Sequence, residues 1–181
     1  DVDSDMAKIV PHCRVFGGLC FLCSNKIGPG HIRHLDYGMI HLGEFLTSGE
    51  AAGITEGLLE IRDLFENISI PIELSEDINE ARWRKLVWNI PFNGLCTVLQ
   101  SDTKKLVSNT STREQLYILM REVLMAAATN GKFIEDSFVD EMMALSDNMG
   151  AYKPSMLLDF ESGRELEVKE LVPVNYHLNK E

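Results

Sequence analysis

Three residues set the chemistry this chain could perform: Lys85, Asn89 and Asn93, spaced four apart within DINEARWRKLVWNIPFNGLCTVLQ, the stretch from Asp77 to Gln100. On a helix, positions i, i+4 and i+8 lie on one face about a turn apart. The spacing therefore predicts a stripe of one ammonium and two carboxamides. When hydride adds to a ketone its oxygen becomes an alkoxide, and a lysine within hydrogen-bond reach can stabilise that charge and deliver the proton. Neutral amides can fix the orientation of a neighbouring carboxylate.

The positions around the stripe are occupied by Trp83, Leu86, Val87, Trp88, Ile90, Phe92 and Leu95, which predicts a helix buried on most sides. The plain alternative is a solvated face, the usual place for Lys and Asn. Against it stands the apolar density, because a buried Lys is costly without a partner. Asp77 and Glu80 have the spacing of a capping box and mark the helix start. Pro91 cannot donate to the Val87 carbonyl, so a kink or break is expected between the two amides, where a pocket could open.

A second polar cluster lies in AYKPSMLLDFESGRELEVKEL, from Ala151 to Leu171. Ser155 follows Pro154 where a helix could begin, so its hydroxyl is either an N-cap or a ligand donor, the cap being the commoner use. Asp159 and Arg164 flank a turn at Gly163, and Glu167 opens a last helical run. Pro173 ends that run early and leaves LVPVNYHLNKE reading as frayed.

The elements that must position these groups follow from patterning. With 181 residues, 45% apolar and 25% charged, the chain has the composition of a soluble globular protein able to bury one core or two small ones. No apolar run is long enough to span a bilayer, and the acidic start DVDSDMAKIVPHC is no signal peptide, so a cytoplasmic location is the default. The net charge of −11 argues against nucleic acid or an anionic membrane as partner. From Val15 to Phe45, three β-prone runs separated by Lys26–Gly30 and Tyr37–Gly38 predict an antiparallel meander. Cys20 and Cys23 are an odd number of residues apart on a strand, which sends their side chains to opposite faces. His31 and His34 share that spacing, and no metal site is expected. No G-x-G-x-x-G opens a helix after a strand.

Ile54, Leu58, Ile61 and Phe65 predict an amphipathic helix between Ser48 and Glu66, and SIPIELS from Ser69 reads as an edge strand because of Pro71. After Ser75 everything reads as helix. Asp102 to Thr110 is a polar connection, and Ser111 with Glu114 forms a second capping box. Leu116, Leu119, Val123 and Ala126 or Ala127 give the buried stripe of the helix that follows, stopped by Asn130–Gly131. Met120 and Met125 read as core filler. A further helix spans roughly Ser137 to Met149, carries Phe138, Met142, Met143 and Leu145, and ends at Gly150.

K-L-x-x-N-x-x-x-N at Lys85–Asn93, P-S-M-L-x-D at Pro154–Asp159 and G-R-x-x-E at Gly163–Glu167, taken together, resemble the C-terminal part of the ketopantoate reductase (2-dehydropantoate 2-reductase) family. SNKIGPGHIRHLDYG is similar to the meander closing the N-terminal domain in many relatives. The likeness extends from about Val15 to about Val168. It implies an α+β chain: a short antiparallel β-meander from the end of a Rossmann-type domain over residues 1–75, then an all-α substrate domain over 76–181, like the C-terminal domain of 6-phosphogluconate dehydrogenase.

The resemblance further implies NADPH-dependent reduction of ketopantoate to pantoate in pantothenate and coenzyme A synthesis, the site lying in a cleft between the two domains. Carried over by motif, Lys85 resembles the general acid. Asn89, Asn93 and Ser155 resemble the substrate-binding groups, and Glu167 the carboxylate that holds the substrate hydroxyl; Glu122 matches a further acidic position. The first Rossmann portion is absent, so no cofactor-binding residue is expected here, and the chain alone is expected neither to bind NADPH nor to turn over. Two alternatives stand beside this reading: a non-catalytic helical dimerisation module, and a related reductase of another 2-oxo acid. Homodimerisation through exposed helix faces is open, because no heptad repeat names a surface.

Overall fold

A computed structural model describes residues 2–168 apart from 66 and 68. The run beyond Val168, with Pro173, lies outside the described residues. By packing, the chain divides into two compact units, one through Arg82 and one from Trp83 onward.

The first unit holds helix α1 (Val2–Ile9), strands β1 (Val15–Gly28) and β2 (His31–Phe45), helix α2 (Glu56–Asp63), strand β3 (Ile72–Leu74) and the first turn of helix α3 (Ile78–Leu99). The predicted three-run meander is instead one long hairpin. β1 pairs antiparallel with β2 from Val15↔Phe45 to Gly28↔His31, and the chain reverses at Pro29–Gly30, where Gly30 has φ 68°. Tyr37–Gly38 is not a turn. The register slips there, Phe21 opposing Met39 and Leu22 opposing Tyr37, and positive φ at both residues (57° and 148°) accommodates a β-bulge that bends β2 without ending it.

The sheet order is β1-β2-β3, with β3 parallel to β2 at Ile40↔Ile72 and Leu42↔Leu74. Strand β3 is thus an edge strand, as Pro71 required; that proline contributes its carbonyl to Ile40 N–H at 3.0 Å. A parallel neighbour needs a crossover, and α2 lies within it. Thr55 caps α2, its Oγ1 accepting from Leu58 N–H at 3.3 Å and donating to Glu44 at 2.6 Å. Arg14 Nε donates to the same carboxylate at 2.7 Å. The helix is shorter than its apolar spacing suggested: Ile54 precedes the Thr55 cap and Phe65 follows the last turn.

Asp77 caps α3, its Oδ1 accepting from Asn79 N–H at 2.9 Å and Glu80 N–H at 3.0 Å. The first turn seats on the sheet at two glycines. A Cβ on Gly17 would lie 2.8 Å from Ile78 Cγ1, and one on Gly43 2.9 Å from Ile78 Cβ. Beside them the Arg82 guanidinium pairs with Asp3 of α1.

The second unit comprises the rest of α3, then α4 (Thr103–Ser108), α5 (Thr110–Thr129), α6 (Ser137–Met149) and α7 (Ser155–Glu161). Its core joins Val87, Phe92 and Cys96 of α3 to Leu106 of α4, Leu116, Met120, Val123 and Ala127 of α5, Val139 and Met143 of α6, and Leu157 of α7. The expected polar connection after Asp102 is in fact α4. Asp102 caps it by accepting from Lys105 N–H at 2.9 Å, and three of its six residues are buried, Thr103, Leu106 and Val107. Asn109, not Ser111, caps α5: its Oδ1 accepts from Thr112 N–H at 3.2 Å, which starts the helix two residues earlier.

Met120 is fully buried while Met125 is exposed, so only the first methionine fills the core. Gly131 (φ 74°) closes α5, with Lys132 N–H donating to Ala127 O and Gly131 N–H to Ala128 O. α6 spans the predicted residues, and Gly150 ends it. The α+β class is confirmed. Among the described residues no helix is long and apolar enough to cross a membrane, and no cluster of His, Cys, Asp or Glu is placed to hold a metal ion.

Candidate functional site

α3 runs through Pro91 without a break. An internal proline costs a helix about 3 kcal/mol, and here Val87, Pro91, Phe92 and Cys96 are all fully buried; packing on both sides of the missing N–H outweighs that cost. No residue from Ala81 to Thr97 is exposed, so this is a helix enclosed on most sides, as its sequence predicted. Lys85 and Asn89 are half-buried and Asn93 is 5% exposed. The stripe therefore sinks from its ammonium end toward the core.

Trp88, next to Asn89, anchors the middle of the helix. Its indole N–H donates to Ser146 Oγ of α6 at 3.0 Å, and that hydroxyl donates to Met142 O at 2.7 Å. The indole stacks on Phe92 with centroids 4.6 Å apart and leans toward Tyr152 at 6.5 Å. Nearer the start of the helix, the Arg84 guanidinium lies 4.8 Å from the centre of the Phe138 ring. The rotation of α3 that fixes where the stripe points is thus held from α6.

The lower end of the stripe reaches the second polar cluster. Asn93 Oδ1 accepts from Met156 N–H at 3.2 Å. Met156 is the second residue of α7, and its amide is one of the donors that a helix start leaves without an intrahelical acceptor. Ser155, immediately before it, is not the N-cap: Pro154 holds that position, and Ser155 is the exposed first residue of the helix, its hydroxyl left out of any cap bond. Of the two uses the sequence left open for that hydroxyl, capping is excluded. With its carbonyl oxygen accepting from Met156, Asn93 keeps its NH₂ as a donor for a ligand.

α7 ends at Gly163 (φ 65°), with Arg164 N–H donating to Asp159 O at 2.9 Å and Gly163 N–H to Phe160 O at 3.0 Å. Arg164 Nε also donates to the Asp159 carboxylate at 2.6 Å, which closes the predicted Asp159–Gly163–Arg164 turn. Glu167 follows this turn and is exposed; Glu122 is exposed on α5, before buried Val123. The structure therefore gathers Lys85, Asn89 and Asn93 on one helix and ties Asn93 to the residue beside Ser155, while Glu122 lies on α5 and Glu167 after the turn that ends α7.

Ser146, which holds Trp88 and so this arrangement, leaves no local signal, because it acts across 58 positions of chain. The nearest thing to a signal was a tryptophan inside an otherwise aliphatic run. Cys96, one turn above Phe92, is no nucleophile: burial lifts its thiol to about 12, helped by the charge of Asp102. The glycines of the hairpin form no dinucleotide loop. Gly17 is inside β1, packed against Asp3, Arg82 and Ile78, while Gly28 and Gly30 flank the hairpin turn; none opens a helix toward a pyrophosphate.

Comparison with known proteins agrees with this architecture. The family model described as ketopantoate reductase PanE/ApbA C terminal matches residues 77–177, and the ketopantoate reductase PanE/ApbA model matches residues 1–47. A 2-dehydropantoate 2-reductase from Nostoc sp. is 44% identical over 180 residues, which is 99% of this chain and 56% of that protein. The crystal structure of 2-dehydropantoate 2-reductase from Geobacter metallireducens superposes with a TM-score of 0.85 at 39% identity, covering 93% of this chain and 55% of that one. The enzyme from Methylococcus capsulatus gives 0.80 at 33%, covering 94% and 53%. The chain thus spans a little over half the length of these relatives. It belongs to the ketopantoate reductase (PanE/ApbA) family, whose C-terminal model its helical half matches.

Proposed function

We propose that this chain supplies the substrate-binding and proton-donating part of an NADPH-dependent 2-dehydropantoate 2-reductase, which reduces ketopantoate to pantoate in pantothenate synthesis. The observation that supports the reading is the Asn93–Met156 hydrogen bond, which joins the buried end of the Lys85–Asn89–Asn93 stripe to the residue that follows Ser155. Family membership supplies the reaction class.

Within this reading each side chain has one task. NADPH, held outside this chain, provides the hydride. Lys85 hydrogen-bonds the ketone oxygen, stabilises the negative charge that builds there, and transfers its proton to yield the alcohol; solvent then recharges the amine. Asn89, the Asn93 NH₂ and the Ser155 hydroxyl orient the substrate carboxylate as neutral donors. Neutral donors suit this place, because a second fixed cation would compete with Lys85 for the charge that forms in the transition state. Glu167 accepts from the substrate hydroxyl, and Glu122 is a further acidic group of the site. The domain boundary follows the same division, with residues 1–75 ending a nucleotide-binding domain and 76–181 forming the substrate domain. A cytoplasmic location and a homodimer accord with a soluble biosynthetic enzyme.

The test is steady-state kinetics of the intact protein with NADPH and ketopantoate. Ser155→Ala is expected to raise KM about tenfold with kcat nearly unchanged, the signature of a lost binding contact. Absence of ketopantoate-dependent NADPH oxidation in the wild-type protein would overturn the reading.

A further inference from the structure

Beyond the stripe, one buried hydroxyl is bonded to the segment that precedes Ser155. Thr103, the first residue of α4, has 0% of its surface exposed. Its Oγ1 donates to Gly150 O at 2.8 Å and accepts from Tyr152 N–H at 3.0 Å, and its own N–H donates to Tyr152 O at 2.9 Å. The connection from α6 to α7 is therefore pinned twice within seven residues, by Thr103 at Gly150 and Tyr152 and by Asn93 at Met156. Between the pins stand Lys153, Pro154 and Ser155. Gly150 at φ 75° turns the chain out of α6, and Pro154 at φ −60°, ψ 158° turns it into α7.

A short segment held at both ends by buried hydrogen bonds has little freedom, so the backbone that carries the exposed Ser155 side chain occupies a set position. Valine matches threonine in shape but carries no hydroxyl, and in its place Gly150 O and Tyr152 N–H would lose their partner. Serine would keep both bonds. No feature of α4 in the sequence hints at this, since the bonds join residues 47 and 49 positions apart.

We infer that Thr103 is a positioning residue of the substrate site, acting through the 150–154 segment to place the Ser155 hydroxyl. The inference rests on the site reading proposed above and adds to it a residue outside the stripe. The test is a double-mutant cycle in the intact enzyme, with KM for ketopantoate as the readout. Thr103→Val is expected to raise KM about tenfold with a smaller change in kcat, and Thr103→Ser to stay within about twofold of wild type. In a Ser155→Ala background, Thr103→Val should change KM no further, because the group it positions is already gone. A full additional tenfold loss in that background, or equal damage from Thr103→Ser, would overturn the inference while leaving Ser155 as a substrate contact. A Ser155→Ala variant with unchanged KM would overturn the site reading itself, and this inference with it.

Discussion

Replacing Asn93 by Ala should strip one identifiable amide of its protection and weaken the helical unit by a measurable amount. In the folded chain Met156 N–H is at the second position of α7, where no helix carbonyl precedes it, and its acceptor is Asn93 Oδ1 at 3.2 Å. Asn93 is 5% exposed, so truncation leaves a buried donor without a partner, at a cost of about 1–3 kcal/mol. For a unit of this size, unfolding with a urea slope of about 2 kcal/mol/M, the midpoint should fall by about 1 M. The sharper assay is amide hydrogen exchange on the 181-residue chain. Met156 should pass from protected to freely exchanging, while Leu158, whose N–H donates to Pro154 O at 3.2 Å, retains its protection. Continued slow exchange at Met156 in the Asn93→Ala chain would refute the reasoning, as would a midpoint unmoved by more than about 0.3 M.

Ser146→Ala should leave the Trp88 indole N–H without its acceptor and lower Tm by several degrees, on the order of 1–2 kcal/mol; near-ultraviolet circular dichroism, which reports the packing of Trp88, should change with it. Alkylation of the folded chain at about pH 8 should modify exposed Cys13 and Cys20 and spare buried Cys23 and Cys96, with four thiols reacting in denaturant; early labelling of Cys96, counted by mass spectrometry, would contradict its burial and raised thiol pKa. Acid should weaken the first unit through Glu44, whose carboxyl is held below the ordinary glutamate range by its hydrogen bonds to Arg14, with Thr55 adding to the effect. A depressed folded pKa makes the stabilisation fully present above the unfolded value of about 4.3 and progressively lost as pH falls through the folded one. Glu44→Gln should flatten that part of the pH–stability curve.

Where local rules decide the outcome, sequence and structure coincide. The start of α3 at Asp77, the stops at Gly131, Gly150 and Gly163, and the Lys85–Asn89–Asn93 stripe all follow from spacing within one element. Departures come where distant packing competes with local signals. Tyr37–Gly38 looked like a turn, but continued pairing with β1 absorbs it as a bulge. Thr103–Ser108 looked polar, yet burial of Thr103, Leu106 and Val107 at helical spacing makes it a helix. Met125 carries an apolar side chain and faces outward all the same, because Val123 and Leu124 already fill the contact surface of α5. The supports of the site were hidden for the same reason: a hydrogen bond between Trp88 and Ser146, or between Asn93 and Met156, leaves no periodicity behind. Pro91 is the instructive case: of the expected kink or break the structure excludes the break, the four fully buried side chains at and around it keeping α3 continuous.

The proposed role of Lys85, protonation of the nascent alkoxide, is tested most directly by the Lys85→Ala variant of the intact protein. Turnover of ketopantoate should fall by a factor of about 10² to 10⁴, with the affinity for NADPH unchanged and the helical unit still folded. Wild-type turnover in that variant would contradict the central claim.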